Sequence, residues 1–173
     1  MSILPILTYP NPELKKISRP VDKVDKDIVR LIDDMFETMY DAPGIGLAAP
    51  QVGVQKRVIV LDLGERDGEE VAPLAIVNPE IVSSEGETTF EEGCLSVPEF
   101  TADVVRAARV KLRGINRSGE AIEIDADGLL AIALQHEIDH LDGILFVDRI
   151  GTVKRDIFRR KLKKLARLKE SRD

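Results

Sequence analysis

Asp127-Gly-Leu-Leu-Ala-Ile-Ala-Leu-Gln-His-Glu-Ile-Asp-His-Leu-Asp-Gly143 is apolar for most of its length, then turns abruptly polar around two histidines. Asp127-Gly128 starts a helix and Gly143 closes it. Leu129, Leu130, Ile132, Ala133, Leu134 and Ile138 leave it little polar surface, which predicts a central, buried helix. His136 and His140 are the only histidines in the chain, and Glu137 follows the first, giving H-E-x-x-H. Four residues turn a helix by about 400°, so the two imidazoles leave one face within about 40° of each other. Two neutral ring nitrogens can then share one divalent metal, with Glu137 near enough to act on water without being a ligand. The plainer alternative is a pair of satisfied core histidines with Glu137 in a salt bridge. It is disfavoured because unpartnered imidazoles are costly on so apolar a helix.

A metal site that keeps one position open needs a third protein ligand. No further histidine exists. Asp142 and Asp148 sit among helix-end and strand signals, and Asp156 and Glu170 on a basic helix. The better candidate is upstream. Cys94 stands in Glu92-Gly-Cys-Leu-Ser96, which reads as a glycine-punctuated turn before Val97-Pro98. A lone cysteine is by default a small buried hydrophobe. A thiolate with two imidazoles, however, suits borderline cations such as Fe(II), Zn(II), Co(II) or Ni(II), and a metal gives the thiol a reason to be deprotonated.

Outward from this centre, Pro5, Pro10, Pro12 and Pro20 keep the first twenty residues extended or turning. Asp25 caps a helix in which Ile28, Leu31, Ile32, Met35, Phe36 and Met39 recur at helical spacing, and Pro43-Gly44 ends it. Short strands are expected over Arg57 to Leu63, Leu74 to Asn78, Ile81 to Ser84, Val104 to Leu112 and Ala121 to Ile124, with breaks at Gly64, Gly68, Gly86 and Gly119. Ile144 to Val147 is a short apolar run. A last helix begins near Thr152, with Val153, Ile157, Leu162, Leu165 and Leu168 in one stripe among lysines and arginines. Helices flanking strands without βαβ alternation predict an α+β fold: short mixed or antiparallel sheets around the central HExxH helix, with a basic C-terminal helix.

The chain has 173 residues, of which 43% are hydrophobic and 32% charged, as expected of one globular domain spanning 1–173. No apolar run approaches the roughly 20 residues that span a bilayer. The first residues resemble neither a secretory signal nor a transit peptide. One cysteine excludes an internal disulfide. A cytoplasmic location is expected. Net charge is −6, yet residues 151–173 hold ten Lys or Arg against three acids, while the rest holds 15 basic against 28 acidic residues. Such an asymmetry suits a polyanionic partner. A solvated amphipathic face is the equal alternative.

Three segments, in order, carry a resemblance: Gly44-Ile-Gly-Leu-Ala-Ala-Pro-Gln51, Glu92-Gly-Cys-Leu-Ser96 and Gln135-His-Glu-Ile-Asp-His140. With the Pro-rich start, the Asp33–Tyr40 helix and the basic final helix, the chain resembles the peptide deformylase family, in its bacterial type, over nearly its whole length. The resemblance implies metal-dependent hydrolysis of the N-formyl group of N-formylmethionyl nascent polypeptides. Cys94, His136 and His140 would be ligands, with water or hydroxide in the fourth position. Glu137 would be general base and then acid, and Gln51 with the Leu95 N–H would form the oxyanion hole. Ile45, Gly46, Phe90, Gly93, Leu129, Ile132 and Ala133 would contact the substrate, the apolar ones lining a methionine slot. Core packing is the ordinary alternative for each of these. The implied metal is Fe(II), replaceable by Zn(II), Ni(II) or Co(II). The basic helix would contact the ribosome; no membrane or DNA partner is expected. Thr101 stands where some members carry Arg, which removes a charged contact to the peptide but not the chemistry.

Within Gly44–Gln51, Gln51 supplies a neutral amide donor; the plainer alternative is a turn-to-strand junction with a surface glutamine. The segment's glycines and alanines would let backbone approach a substrate closely. Asp139 would pair with Arg106 or with a helix-surface cation. The competing functions are a zinc metallopeptidase, which shares HExxH but usually takes His or Glu as third ligand, and a binding protein with a closed structural metal.

Overall fold

The computed structural model describes residues 2–66 and 69–170. Gly68, expected to mark a break, lies outside them, as do both ends of the 1–173 unit. In chain order the elements are α1 (Lys26–Asp41), β1 (Gly46–Ala48), β2 (Val58–Leu61), β3 (Glu65–Arg66), β4 (Glu69–Glu70), β5 (Leu74–Glu85), β6 (Thr88–Cys94), β7 (Val97–Arg106), β8 (Arg109–Ile115), β9 (Ala121–Asp127), α2 (Gly128–Leu141) and α3 (Thr152–Glu170), with short 3₁₀ turns at Pro12–Lys15, Ala49–Val52 and Phe146–Asp148. The fold is α+β, and every named ladder is antiparallel. A five-stranded sheet has the order β1-β2-β5-β8-β9, β6 and β7 form a separate hairpin, and β3 and β4 a small one.

Strand β2 shows why the sheet sits where it does. Val58, Ile59, Val60 and Leu61 are all buried. Alternate side chains leave opposite faces. Val58 and Val60 pack with Ile28, Ile32, Met35 and Met39 of α1, whereas Ile59 and Leu61 pack with Ala131, Leu134 and Ile138 of α2. A continuous apolar run is what a strand covered on both sides requires. Helix α1 starts where its sequence says it should: the Asp25 side chain accepts from the Ile28 N–H at 3.0 Å. Behind α2 lies a second core, where Leu145, Phe146 and Val147 meet Val97 and Val104 of the hairpin and Phe158 of α3. Helix α2 is thus walled by the sheet on one side and by this cluster on the other.

Three expectations need correcting. Leu74 to Asn78 and Ile81 to Ser84 are one strand, β5. Its register against β8 shifts between Val77 and Glu80 and again between Ile81 and Ser83, and Asn78 takes φ 53° beside Pro79; the proline interrupts the ladder without ending the strand. Val104 to Leu112 is two strands: the chain leaves β7 at Arg106 and enters β8 at Arg109. Apolar spacing continues through Ala107-Ala108 and cannot register the change of partner. Glu92 to Cys94 is the end of β6, with only Leu95 and Ser96 forming the turn. The α3 stripe is largely exposed. Phe158 is buried and Leu162 half-buried against the second core, while Val153 and Ile157 are 74% and 51% exposed. No helix among the described residues is long and apolar enough to cross a membrane.

Candidate metal centre

The hairpin and α2 bring three soft donors together. One ligand atom from each of Cys94, His136 and His140 lies within 4.8 Å of the others. Cys94 Sγ is 3.3 Å from His140 Nε2, which is 3.3 Å from His136 Nε2. Cys94 reaches this point because β6 ends there and turns back through Leu95-Ser96 into β7. The Ser96 N–H approaches the sulfur at 3.4 Å.

The polar groups around the donors are held from behind. His136 Nδ1 lies 2.8 Å from Glu92 Oε1, which takes the ring's N–H and leaves Nε2 free for a metal. Arg106 binds both oxygens of Glu92 at 2.8 Å and reaches Asp139 Oδ2 at 2.5 Å. Arg149 binds both oxygens of Asp139, at 2.5 and 2.7 Å. The expected Arg106–Asp139 pair is present. Glu92 belongs to the site although its sequence motif assigns it no role. Its position two residues before Cys94 on the same strand is a signal that could have found it. Burial opposes charge on Glu92, but Arg106 and His136 outweigh burial and hold its pKa near 2.

The histidines are not equivalent. Burial works against a proton on His136, yet Cys94, Glu92 and the Glu137 carboxylate raise its pKa to about 10. Burial and the neighbouring His136 push His140 well below the ordinary value. Glu137 is buried, and its Oε2 makes no hydrogen bond among the described residues. Burial raises its pKa to about 7, helped by Glu92 and Asp139 and opposed by His136 and Arg106. Gly46 is what allows β1 to lie against Glu137: a Cβ there would stand 3.1 Å from the carboxyl carbon and 3.0 Å from Leu61.

Gln51 is not a surface residue. It is 1% exposed and fixed at both ends of its amide. Its Oε1 accepts from the Ala48 N–H at 2.9 Å, and its Nε2 donates to Ser96 Oγ at 3.0 Å while lying 3.5 Å from Cys94 Sγ. A cleft of about 410 Å³ opens onto this floor, and its lining takes in Gln51, Cys94, Leu95, His136 and Glu137 together with Ile45, Gly46, Phe90, Gly93, Leu129, Ile132 and Ala133. His140 lies behind that lining. Ile45 and Phe90 are 41% and 42% exposed, as apolar groups at a cleft's mouth would be, while Ile132 and Ala133 are buried deep in it.

The family model for polypeptide deformylase matches residues 3–156. The chain belongs to that family. A peptide deformylase of Syntrophobacter fumaroxidans is 55% identical over 171 residues, covering 99% of each chain. One from Alkalilimnicola ehrlichii is 56% identical over 96% of this chain and 93% of its own. Among solved structures, a peptide deformylase from Legionella pneumophila superposes with a TM-score of 0.88 at 51% identity, covering 98% of both chains. The Ehrlichia chaffeensis peptide deformylase in complex with actinonin superposes at 0.89 with 43% identity, over 95% of this chain and 98% of that one. Metal-dependent deformylation is the activity of this deformylase family, and the Cys94, His136, His140 group fits it.

Proposed function

We propose that the chain removes the formyl group from N-formylmethionyl polypeptides, and that the residues at the cleft floor divide the work as follows. The observation that carries the proposal is the convergence of Cys94, His136 and His140 beneath an apolar cleft, flanked by a buried carboxyl and a fixed amide donor. Their donor set fits a borderline divalent cation, and the orphaned Glu137 Oε2 marks where a further polar group belongs. We assign Fe(II) as the resident ion, exchangeable with Zn(II), Ni(II) or Co(II). Bound there, the cation supplies Lewis acidity, which acidifies water and polarises a carbonyl oxygen.

Glu137 accepts a proton from the attacking water and returns it to the leaving amine. A carboxyl pushed toward neutrality by burial is suited to both transfers. As the formyl carbon becomes tetrahedral, negative charge grows on its oxygen. Gln51 Nε2, already aimed at the ligand cluster, and the Leu95 N–H at the hairpin tip supply hydrogen bonds to it. Ala48 and Ser96 hold the Gln51 amide in place, so the N–H that now points at the Cys94 sulfur is the one to turn to the oxyanion. Formate and a free α-amine result. Ile45, Phe90, Leu129, Ile132 and Ala133 offer the methionine side chain an apolar slot, and Gly46 and Gly93 let an extended peptide backbone approach the floor. A formyl group carries only hydrogen beyond its carbonyl, so close walls reject larger acyl groups. Actinonin, bound by the Ehrlichia chaffeensis relative, is expected to occupy the same cleft.

A metallopeptidase with a downstream acid as third ligand is disfavoured. Asp142 is paired with Arg57 at 2.9 Å and Asp148 with Lys15 at 2.5 Å. The Glu170 side chain lies outside the described residues. We further assign residues 1–173 to one catalytic unit working in the cytoplasm, with α3 as a ribosome contact; the basic charge of residues 151–173 supports the last. The deciding experiment measures metal content and formate release from formyl-Met peptide for wild type and Glu137→Ala after anaerobic purification. Retained metal with lost formate release supports the assignment. Metal loss in that variant, or internal cleavage of an unblocked peptide by wild type, would overturn it.

A further inference from the structure

We infer that Arg149, which lies outside every motif quoted above, is a positioning residue for the ligand His136, acting through Asp139, Arg106 and Glu92. The inference rests on the three-donor reading of the site. Asp139 stands between the two ligand histidines on α2 and is 7% exposed. Two guanidinium groups meet it. Arg106 gives it one N–H, from Nη1, while its Nε and Nη2 donate to Glu92. Arg149 gives it two, one to each oxygen.

Charge decides what this arrangement does. With His136 neutral, as a metal ligand must be, Glu92 and Asp139 place two carboxylates around Arg106, and Arg106 can balance only one. A buried carboxylate left without a partner is costly, so removing Arg149 makes Asp139 compete with Glu92 for the same guanidinium. Glu92 is the residue whose Oε1 fixes the His136 ring through Nδ1. Arg149 therefore keeps Arg106 on Glu92, and Glu92 keeps Nε2 of His136 pointed at Cys94 and His140. The forked contact needs arginine's planar geometry, because lysine can give Asp139 only a point charge.

An independent contact leads from the same segment to the same ring. Arg149 follows the 3₁₀ turn Phe146–Asp148 and donates its backbone N–H to Phe146 O at 3.0 Å. The Phe146 ring stacks on His136, with centroids 6.2 Å apart and planes 26° off parallel. This short segment thus steers His136 twice, through a ring face and through a chain of charges. The Arg149 side chain is 42% exposed and borders a surface cavity of about 330 Å³. Truncating it leaves no hole in the core, so variants at this position should fold.

The test uses the full chain loaded with Co(II), whose thiolate charge-transfer band reports the site directly. Arg149→Ala, Arg149→Lys and Arg57→Ala are compared for that band, for the rate of cobalt loss to a chelator, and for melting temperature. Arg57 is the control: it clamps the end of the same helix through Leu141 O at 3.1 Å and Asp142 at 2.9 Å without touching the Asp139–Arg106–Glu92 chain. Partners that orient metal-ligating histidines typically govern affinity by 10–100-fold, and Arg149 is expected at the lower limit. Arg149→Ala should lose cobalt about tenfold faster than wild type with an altered band, Arg149→Lys should fall between, and Arg57→Ala should match wild type in both. Adding Asp139→Asn to Arg149→Ala should slow the loss again, because the unbalanced carboxylate is gone. Arg149→Ala matching Arg57→Ala in rate and band, or no recovery in the double variant, would overturn the inference whatever happens to the melting temperature. A wild-type protein lacking the thiolate band would instead overturn the three-donor reading beneath it.

Discussion

Helices α2 and α3 use opposite solutions to the same problem. In α2, nine of fourteen residues are buried, and these include Glu137, Asp139 and His140. In α3, Phe158 is the only buried residue among those whose exposure is described. Most polar groups on α2 survive burial because they are answered from another element: His136 by Glu92 of β6, His140 by Cys94 of β6, Asp139 by Arg106 of β7 and by Arg149; the exception is Glu137, whose Oε2 has no partner among the described residues. Most charges on α3 are exposed to water and need no such answer; Arg155 and Lys161 alone among those described donate to carbonyls of other segments, at Val147, Asp148 and Glu99. The lesson is that the helix carrying the proposed catalytic groups is the dry one. Desolvation raises Glu137 towards neutrality and strengthens each dipole aimed at the cleft, whereas α3 buries one aromatic anchor, Phe158, with Leu162 half-buried beside it. Phe158 there packs on Phe100 at 4.8 Å and on Tyr9 at 5.2 Å between ring centroids.

That contrast can be attacked in order of expected effect. Stripping the cation with a chelator should abolish formate release, and anaerobic re-addition of Fe(II) or Co(II) should restore it; activity surviving complete removal would detach α2 from the chemistry. Glu137→Ala should retain metal and lose about 10²- to 10⁴-fold in kcat, the usual worth of a positioned acid–base group. Gln51→Ala should lower kcat by about 10²- to 10³-fold with its metal unchanged, as removal of one oxyanion donor does. Phe158→Ala should cost about 3 kcal/mol in a denaturant titration while leaving the kcat of the folded enzyme near wild type. Lys163→Glu with Lys164→Glu should shift stability by no more than about 0.5 kcal/mol and leave turnover of a free peptide unaltered. It should weaken binding to ribosomes at low salt, and a truncation after Gly151 that bound ribosomes as well as the full chain at matched salt would refute a role for α3 there.

Legibility differed between these regions for a physical reason. Helix α1 could be read in full, because its cap Asp25 and its apolar positions act within one turn of each other. Helix α3 was readable as a helix but not as to which side is buried. The stripe from Val153 through Ile157 obeys helical spacing yet faces solvent, and Phe158, one residue on, meets the core. Spacing reports that a face exists; only a neighbour decides whether it is covered. The strands failed in the same way at Pro79 and at Ala107-Ala108, where the ladder partner changes without a change in apolar pattern.

By itself, the amino-acid order determined the α+β class, the pairing of His136 with His140 on one helical face, and the shortage of ligands that pointed to Cys94. Those follow from helix geometry and from residue types, which are local properties. Tertiary structure alone decided that the Cys94 sulfur comes within reach of both rings, that Gln51 is buried with its amide fixed, and that Glu92, Arg106, Asp139 and Arg149 form one chain of charges behind His136. Each of these depends on side chains far apart in sequence. What joins them is the balance of buried charge in a medium that screens it poorly, and that balance exists only once the hairpin and the helix have met.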